Sequence, residues 1–308
     1  MKKLNILVIG GTGFLGSNLV NALAQEKHNI KVLSRGHIKL SENHSNVKYI
    51  IGDICDEKSL NRAIKGTDFV YHLASTTNPK FGEEDLLFDL SSNLISTINI
   101  LKKCVNFHVK KFIFCSSGGT VYGDQNNLPI SEDNICLPIS SYGLVKHNIE
   151  MYIKYFNKRF SLNYEILRVS NPYGKGQFPD GPQGVIPTFI KKILNGMEIK
   201  VFGDGSSTRD YLYIDDFIDL NLKLLTTVKK NNTLNIGSGK SISIIDLIKK
   251  IEILTGKTAS INYFPEREFD VKKIHLNINK VSHIYNWNPK VDIDTGLLKT
   301  LKWINDIS

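Results

Sequence analysis

Tyr142 and Lys146 stand four residues apart in Ser140-Ser141-Tyr142-Gly143-Leu144-Val145-Lys146, so on a helix their side chains leave the same face. With an ordinary pKa of about 10, a tyrosine alone is a poor acid or base near neutrality. A lysine ammonium beside it favours the phenolate and lowers that pKa toward a useful range. Such a pair could exchange a proton with a hydroxyl or carbonyl oxygen. An exposed tyrosine and lysine on an amphipathic helix is the commoner meaning of this spacing alone. The weight therefore falls on what the rest of the chain supplies.

It supplies a glycine turn. Leu4 to Ile9 is a short apolar run that ends in Gly10-Gly11-Thr12-Gly13-Phe14-Leu15-Gly16, and Leu15, Leu19, Val20, Leu23 and Ala24 then recur at helical spacing. In this strand–turn–helix setting Gly10 permits the tight turn, Gly13 lets a pyrophosphate approach the backbone, and Gly16 lets helix and strand pack closely. The start of the helix then faces the phosphates. The next strand, Ile30 to Leu33, ends at Ser34-Arg35. An NAD enzyme usually carries a carboxylate here for the ribose 2′-hydroxyl, whereas a serine and an arginine suit a 2′-phosphate. The cofactor expected is NADP or NAD.

Strand and helix alternate onward. Val47 to Ile51 is a predicted strand leading to Gly52-Asp53-Ile54, at the adenine end. Asp56 is placed to cap a helix over Glu57 to Lys65. Phe69 to Leu73 is a strand followed by Ala74-Ser75-Thr76, then one long helix from Asp85 to Phe107. Lys111 to Cys115 is a strand ending in Ser116-Ser117-Gly118-Gly119-Thr120-Val121-Tyr122-Gly123. The alternation predicts an α/β fold with a doubly wound parallel sheet. Ligands of such sheets bind beyond the carboxyl ends of the strands, which brings Gly13, Ala74, Ser117 and the helix of Tyr142 toward one cleft. Gly10, Gly13, Phe14, Leu15, Gly16, Ser34, Arg35, Asp53, Ile54, Leu73, Ala74 and Ser75 are the candidate cofactor contacts. Past Asn171 a run rich in proline and glycine, Pro172 to Gly184, precedes an apparent helix, Val185 to Leu194, and has the composition of a substrate loop. We expect a dinucleotide-binding domain over 1–170. A smaller substrate lobe then covers 171–308, some of whose segments return to the sheet.

Composition narrows the class. The chain has 308 residues, 41% of them hydrophobic, enough for a full core. Its formal charge of +9 comes from dispersed lysines without a dense basic block, so solvated faces are expected rather than a nucleic-acid surface. The four cysteines show no metal-ligand spacing and suit reduced thiols. No apolar run is long enough to span a membrane. The expectation is a soluble cytoplasmic enzyme without metal, nucleic-acid or membrane partners.

These motifs together resemble the extended short-chain dehydrogenase/reductase family, in its branch of nucleotide-sugar epimerases and 4-ketosugar reductases. The resemblance is nearly end to end. Besides the segments above it rests on Leu167-Arg168-Val169-Ser170-Asn171-Pro172-Tyr173-Gly174 and Phe202-Gly203-Asp204-Gly205 with Arg209-Asp210-Tyr211. It continues through Asn235-Ile236-Gly237-Ser238-Gly239, Arg267 with Asp270, and Trp287-x-Pro289 before Thr300 to Trp303. The resemblance implies that Tyr142 exchanges a proton at the sugar's C4 oxygen while hydride passes to or from the nicotinamide. It also implies that Lys146 binds the nicotinamide ribose and lowers the Tyr142 pKa, and that Asn93 positions the cofactor. Asn171, Arg209, Arg267 and Asp270 match positions that hold a nucleotide diphosphate, for which arginine's planar fork is suited. A homodimer through helices near 85–107 and 143–160 is expected on the same ground.

Two departures matter. Family members usually carry a serine or threonine where this chain has Gly118; Ser117 or Thr120 supplies that hydroxyl, or none is needed. Gly119 and Thr120 also replace the acid and base of the 4,6-dehydratases. The second departure is Ser34-Arg35. A 4-ketosugar reductase, such as a dTDP-4-dehydro-6-deoxyglucose reductase of surface-polysaccharide synthesis, is therefore preferred narrowly over a UDP-glucose 4-epimerase-like enzyme. A cofactor-binding regulator with an inactive site is disfavoured by retention of both Tyr142 and Lys146.

Overall fold

The structure is a computed structural model that describes residues 3–36, 44–181, 184–226 and 230–307. In chain order the elements are β1 (Asn5–Ile9), α1 (Phe14–Gln25), β2 (Asn29–Ser34), β3 (Val47–Ile51), α2 (Glu57–Ile64), β4 (Phe69–His72), α3 (Pro79–Glu84) and α4 (Leu86–Asp89). A π-helical turn (Leu90–Ile95), α5 (Ser96–Asn106), β5 (Lys111–Ser117), α6 (Ser141–Phe160), β6 (Tyr164–Val169), β7 (Asn171–Tyr173), α7 (Val185–Leu194) and β8 (Ile199–Phe202) follow. The rest is β9 (Thr208–Arg209), β10 (Tyr211–Tyr213), α8 (Ile214–Lys223), β11 (Asn232–Ile236), β12 (Ile242–Ser243), α9 (Ile244–Thr255), β13 (Ile261–Phe264), α10 (Asn279–Tyr285) and α11 (Ile293–Ile307).

Seven strands form one sheet in the order β11-β6-β5-β4-β1-β2-β3, and the pairings from β3 through β5 are parallel. The order reverses beside β1, the switch point of a doubly wound sheet. This is the predicted α/β Rossmann architecture. The central strands are buried on both faces, as β4 shows in Phe69, Val70 and Tyr71. Such strands read as continuous apolar runs, not alternations.

Two compact units make up the chain. The first comprises residues 1–117, 140–168 and 218–234, and the second 118–139, 169–217 and 235–308. In the second, β7 pairs with β10, β8 with β13 and β9 with β12. Helix α7 follows the expected bounds, Val185–Leu194, after the loop that ends at Gly184; Pro182 of that loop lies outside the described residues.

One element departs from expectation. The single helix predicted over Asp85 to Phe107 is a short α4, a π-helical turn and α5. The departure has a side-chain cause. Asp89, Ser92 and Asn93 are buried and spend their polar atoms on the loop after β4, which a regular helix phase would turn away. Asp56 does cap α2, accepting from the Lys58 and Ser59 N–H groups.

Candidate active site

The glycine turn is built from backbone. Gly10 has φ +84°, and a Cβ there would lie 2.6 Å from the Ala74 nitrogen. A Cβ on Gly16 would fall 2.1 Å from the Gly10 carbonyl oxygen. Gly13 differs: it is exposed, and its Cβ would meet only that oxygen, at 3.5 Å. As N-cap of α1 it offers no side-chain oxygen to the first N–H groups, so the positive end of α1 is presented over a cradle that a methyl group would fill. Phe14 and Leu15 form the first turn of that helix. These features fit a dinucleotide's pyrophosphate.

At the end of β2 the Ser34 hydroxyl lies 3.1 Å from the Thr12 hydroxyl and also bonds the Gly36 backbone, while Arg35 is exposed. Thr12 was not among the expected contacts. Its partner lies at the end of β2, which the glycine motif alone does not indicate. Asp53 folds its carboxylate onto the Cys55 N–H at 2.8 Å, and Ile54 packs against the core. Leu73 donates to the Ile9 carbonyl, which sets Ala74 and Ser75 beside the glycine turn.

Asn93 lies in the π turn, accepting from the Thr76 N–H at 3.0 Å and donating to Thr77 and Asp89. Asp89 in turn accepts from the Thr77 hydroxyl at 2.6 Å and the Ser141 hydroxyl at 2.8 Å. No sequence signal marked Asp89, an acidic residue in what read as one long helix.

Helix α6 starts at Ser141, capped by the Ser140 hydroxyl. Lys146 is buried. Its Nζ donates to the Cys115 carbonyl at 3.1 Å, 4.8 Å from the Phe114 ring centre and 5.5 Å from that of Tyr142. One turn on, Glu150 is fully buried and accepts from the Ser116 hydroxyl at 2.5 Å and from Arg168 at 2.7 Å, pinning α6 to β5 and β6. Burial lowers the Lys146 pKa, against the nearby Cys115, Asp89 and Glu150, which raise it.

The expectation that Lys146 lowers the Tyr142 pKa needs correction in this geometry. Burial pushes the phenol up, Cys115 and Asp89 add to the rise, and only the hydrogen bond with Ser75 pulls it down. The Lys146 ammonium is directed at the Cys115 carbonyl.

The remaining candidates belong to the second unit. Ser117 ends β5 in the first, but Gly118, whose N–H bonds the Val169 carbonyl at 2.8 Å, and Thr120 lie in the second. The Thr120 hydroxyl oxygen is buried with no hydrogen-bond partner. Asn171 bonds the Asp210 carbonyl through its backbone and side chain. The Arg209 guanidinium sits in the field of Asp270, Arg267 and Asp124, and burial lowers its pKa. Arg267 is stacked 4.1 Å over the Phe202 ring and bonded to Asp270 at 2.7 Å. Asp270 therefore orients Arg267, and the two stand together among the diphosphate candidates. Asp210 is fully buried and accepts from Ser238 and Gly239 backbone N–H groups, so Arg209-Asp210-Tyr211 and Gly237-Ser238-Gly239 interlock.

Residues 6–237 match the profile of the NAD dependent epimerase/dehydratase family. The chain belongs to that family. It is thereby an enzyme of the nucleotide-sugar epimerase, dehydratase and reductase group, with a nicotinamide dinucleotide as cofactor. It is 36% identical to a Methanocaldococcus jannaschii protein provisionally named UDP-glucose 4-epimerase, over 98% of both chains. It is 33% identical to the dTDP-4-dehydro-6-deoxyglucose reductase of Escherichia coli, again over 98% of both. The crystal structure of Thermotoga maritima UDP-glucose 4-epimerase with UDP-glucose superposes with a TM-score of 0.93 at 34% identity, covering 99% of each chain.

Proposed function

We propose that this family member exchanges a proton and a hydride at C4 of a nucleotide-linked hexose. The observation that carries the reading is Lys146 one turn beyond Tyr142, its Nζ held on the Cys115 carbonyl at 3.1 Å and 5.5 Å from the Tyr142 ring centre, in the same unit as the glycine turn. Gly10 to Gly16 and Asn93 hold the dinucleotide, which supplies or accepts the hydride. Tyr142 gives the C4 oxygen its proton, and buried Lys146 brings a positive charge to the ribose side. Ser117 and Thr120 are the hydroxyl candidates, and Thr120 carries a buried hydroxyl oxygen without a hydrogen-bond partner. Asn171, Arg209 and Arg267 take the nucleotide diphosphate, Arg267 being aimed by Asp270 and Phe202.

Two net reactions share this step. Reduction of a 4-keto-6-deoxyhexose is favoured by the end of β2. There a serine and an exposed arginine stand where NAD enzymes carry an acid, which suits an NADPH drawn from the cell's pool. The second reading, 4-epimerisation with NAD retained, is favoured by the epimerase names of the M. jannaschii and T. maritima relatives. We place the enzyme in cytoplasmic synthesis of surface-polysaccharide sugars. We also read the exposed Leu87, Leu144, Met151 and Tyr155 as a homodimer face.

Nicotinamide absorbance tests the reading, with NADPH or NADH and a nucleotide-linked 4-keto-6-deoxyhexose. Stoichiometric oxidation establishes the reductase. Interconversion of UDP-hexoses without added cofactor establishes the epimerase. Turnover should vanish in Tyr142→Phe while cofactor affinity stays near that of the parent; lost cofactor binding would mean that Tyr142 has been misplaced.

A further inference from the structure

We infer that Asp89 is a positioning residue of this chemistry: its carboxylate locks the loop after β4, the π turn and the start of α6 together, and sets a negative charge beside the Tyr142–Lys146 pair. The inference rests on Tyr142 acting at C4, and nothing in the family motifs quoted above includes Asp89.

The geometry is specific. Asp89 is 0% exposed. One oxygen accepts from the Thr77 hydroxyl at 2.6 Å and the Asn93 amide at 2.9 Å, and the other accepts from the Ser141 hydroxyl at 2.8 Å. Those three donors come from the loop after β4, the π turn and the first residue of α6. Ser141 adjoins Tyr142. A Cβ on Gly82 would lie 2.8 Å from an Asp89 oxygen and 3.3 Å from the Tyr142 nitrogen, so α3 seals the carboxylate against the catalytic helix. Among the described residues no lysine or arginine contacts Asp89. A buried carboxylate satisfied only by neutral donors keeps a field that water does not screen.

That field has a direction. Tyr142 faces Cys115 of β5, Asp89 of α4 and the Ser75 hydroxyl, with Lys146 on its own helix; Lys146 faces Cys115, Asp89, Glu150 and His72. Glu83 of α3 accepts from the Ser141 N–H at the exposed end of α6. Asp89 raises the proton affinity of both Tyr142 and Lys146. It therefore works against the burial that lowers the Lys146 pKa and adds to the burial that raises that of Tyr142.

Asp89→Asn separates charge from shape. The amide oxygen still accepts from Thr77 and Asn93, and the Ser141 hydroxyl can accept from the amide nitrogen. Turnover against pH is measured for the cofactor-loaded parent and variant, with ring-carbon NMR of Tyr142 (assigned by its loss in Tyr142→Phe) as a readout that needs no substrate. The expected result is an alkaline limb of kcat/KM, and an onset of the Tyr142 titration, displaced to lower pH in Asp89→Asn at nearly unchanged cofactor affinity. Asp89→Ala, which breaks the three hydrogen bonds as well, should lose turnover by about a hundredfold at every pH. An unmoved limb and titration in Asp89→Asn would overturn the inference and leave a merely structural residue. A parent that turns over no nucleotide sugar, while the Tyr142 titration still moves, would sink the proposed reaction and spare the inference.

Discussion

Replacing Gly13 and Gly16 with alanine, one at a time, separates folding from cofactor capture. At Gly16 the new Cβ would sit 2.1 Å from the Gly10 carbonyl oxygen and 2.7 Å from the Gly11 Cα. Both obstacles are backbone, so neither can swing aside, and the cost falls at the upper end of overpacking, about 3 kcal/mol. At about 2 °C per kcal/mol for a chain of this size, Tm should fall by roughly 6 °C. Gly13 has φ −80° and ψ 178°, open to any residue, and its Cβ would make only an ordinary 3.5 Å contact. Folding there should lose only about 0.5–1 kcal/mol through the weaker cap. The methyl group would instead stand over the start of α1, displacing phosphate oxygens from charge-assisted bonds worth about 1.5–3 kcal/mol each. Cofactor affinity should then drop roughly ten- to hundredfold. Thermal melts and calorimetric titration with NADPH and NADH measure both quantities. A Gly13→Ala protein that binds cofactor as tightly as the parent would refute the placement of the pyrophosphate. A Gly16→Ala protein that melts with the parent would refute the packing argument.

Arg35→Ala should lower the NADPH-over-NADH preference in kcat/KM by about tenfold or more, through loss of a charge-assisted phosphate contact; an unchanged ratio removes Arg35 from cofactor choice. His72 is buried on Thr97, and burial, with Lys146 nearby, lowers its pKa to about 3. The unfolded chain protonates near the ordinary value while the folded one resists. Stability should therefore fall by about 1.4 kcal/mol per pH unit as pH drops from about 6.5 toward 3. His72→Gln, compared by denaturant unfolding at several pH values, should show a flatter acid limb by that slope, and an equal slope would contradict the assignment.

The parallel sheet was legible because its central strands are buried on both faces and read as unbroken apolar runs between glycine turns. The cofactor turn was legible for a similar reason: only glycine fits at Gly10 and Gly16, and sequence records that directly. Charge relations were not legible. Spacing put Lys146 on the Tyr142 face, yet which acceptor its ammonium reaches depends on β5, thirty residues earlier in the chain. The sequence placed Arg267 and Asp270 together, and the structure adds the hydrogen bond by which one orients the other. Asp89 and Thr12 escaped notice because their partners lie on other segments, which no local pattern encodes.

The π turn at Leu90–Ile95 carries one residue more per turn than the α-helices on either side of it. Deleting a single residue there would restore continuous α geometry and leave the apolar face of α5 seated. Winding the same residues as regular α-helix without that deletion would instead rotate everything upstream by about 100° about the helix axis. Asp89 would swing off Ser141. In this stretch the extra residue is absorbed by the turn, so two enzymes that differ by one residue here are expected to share the same wiring, the longer through a π turn and the shorter through an unbroken α-helix.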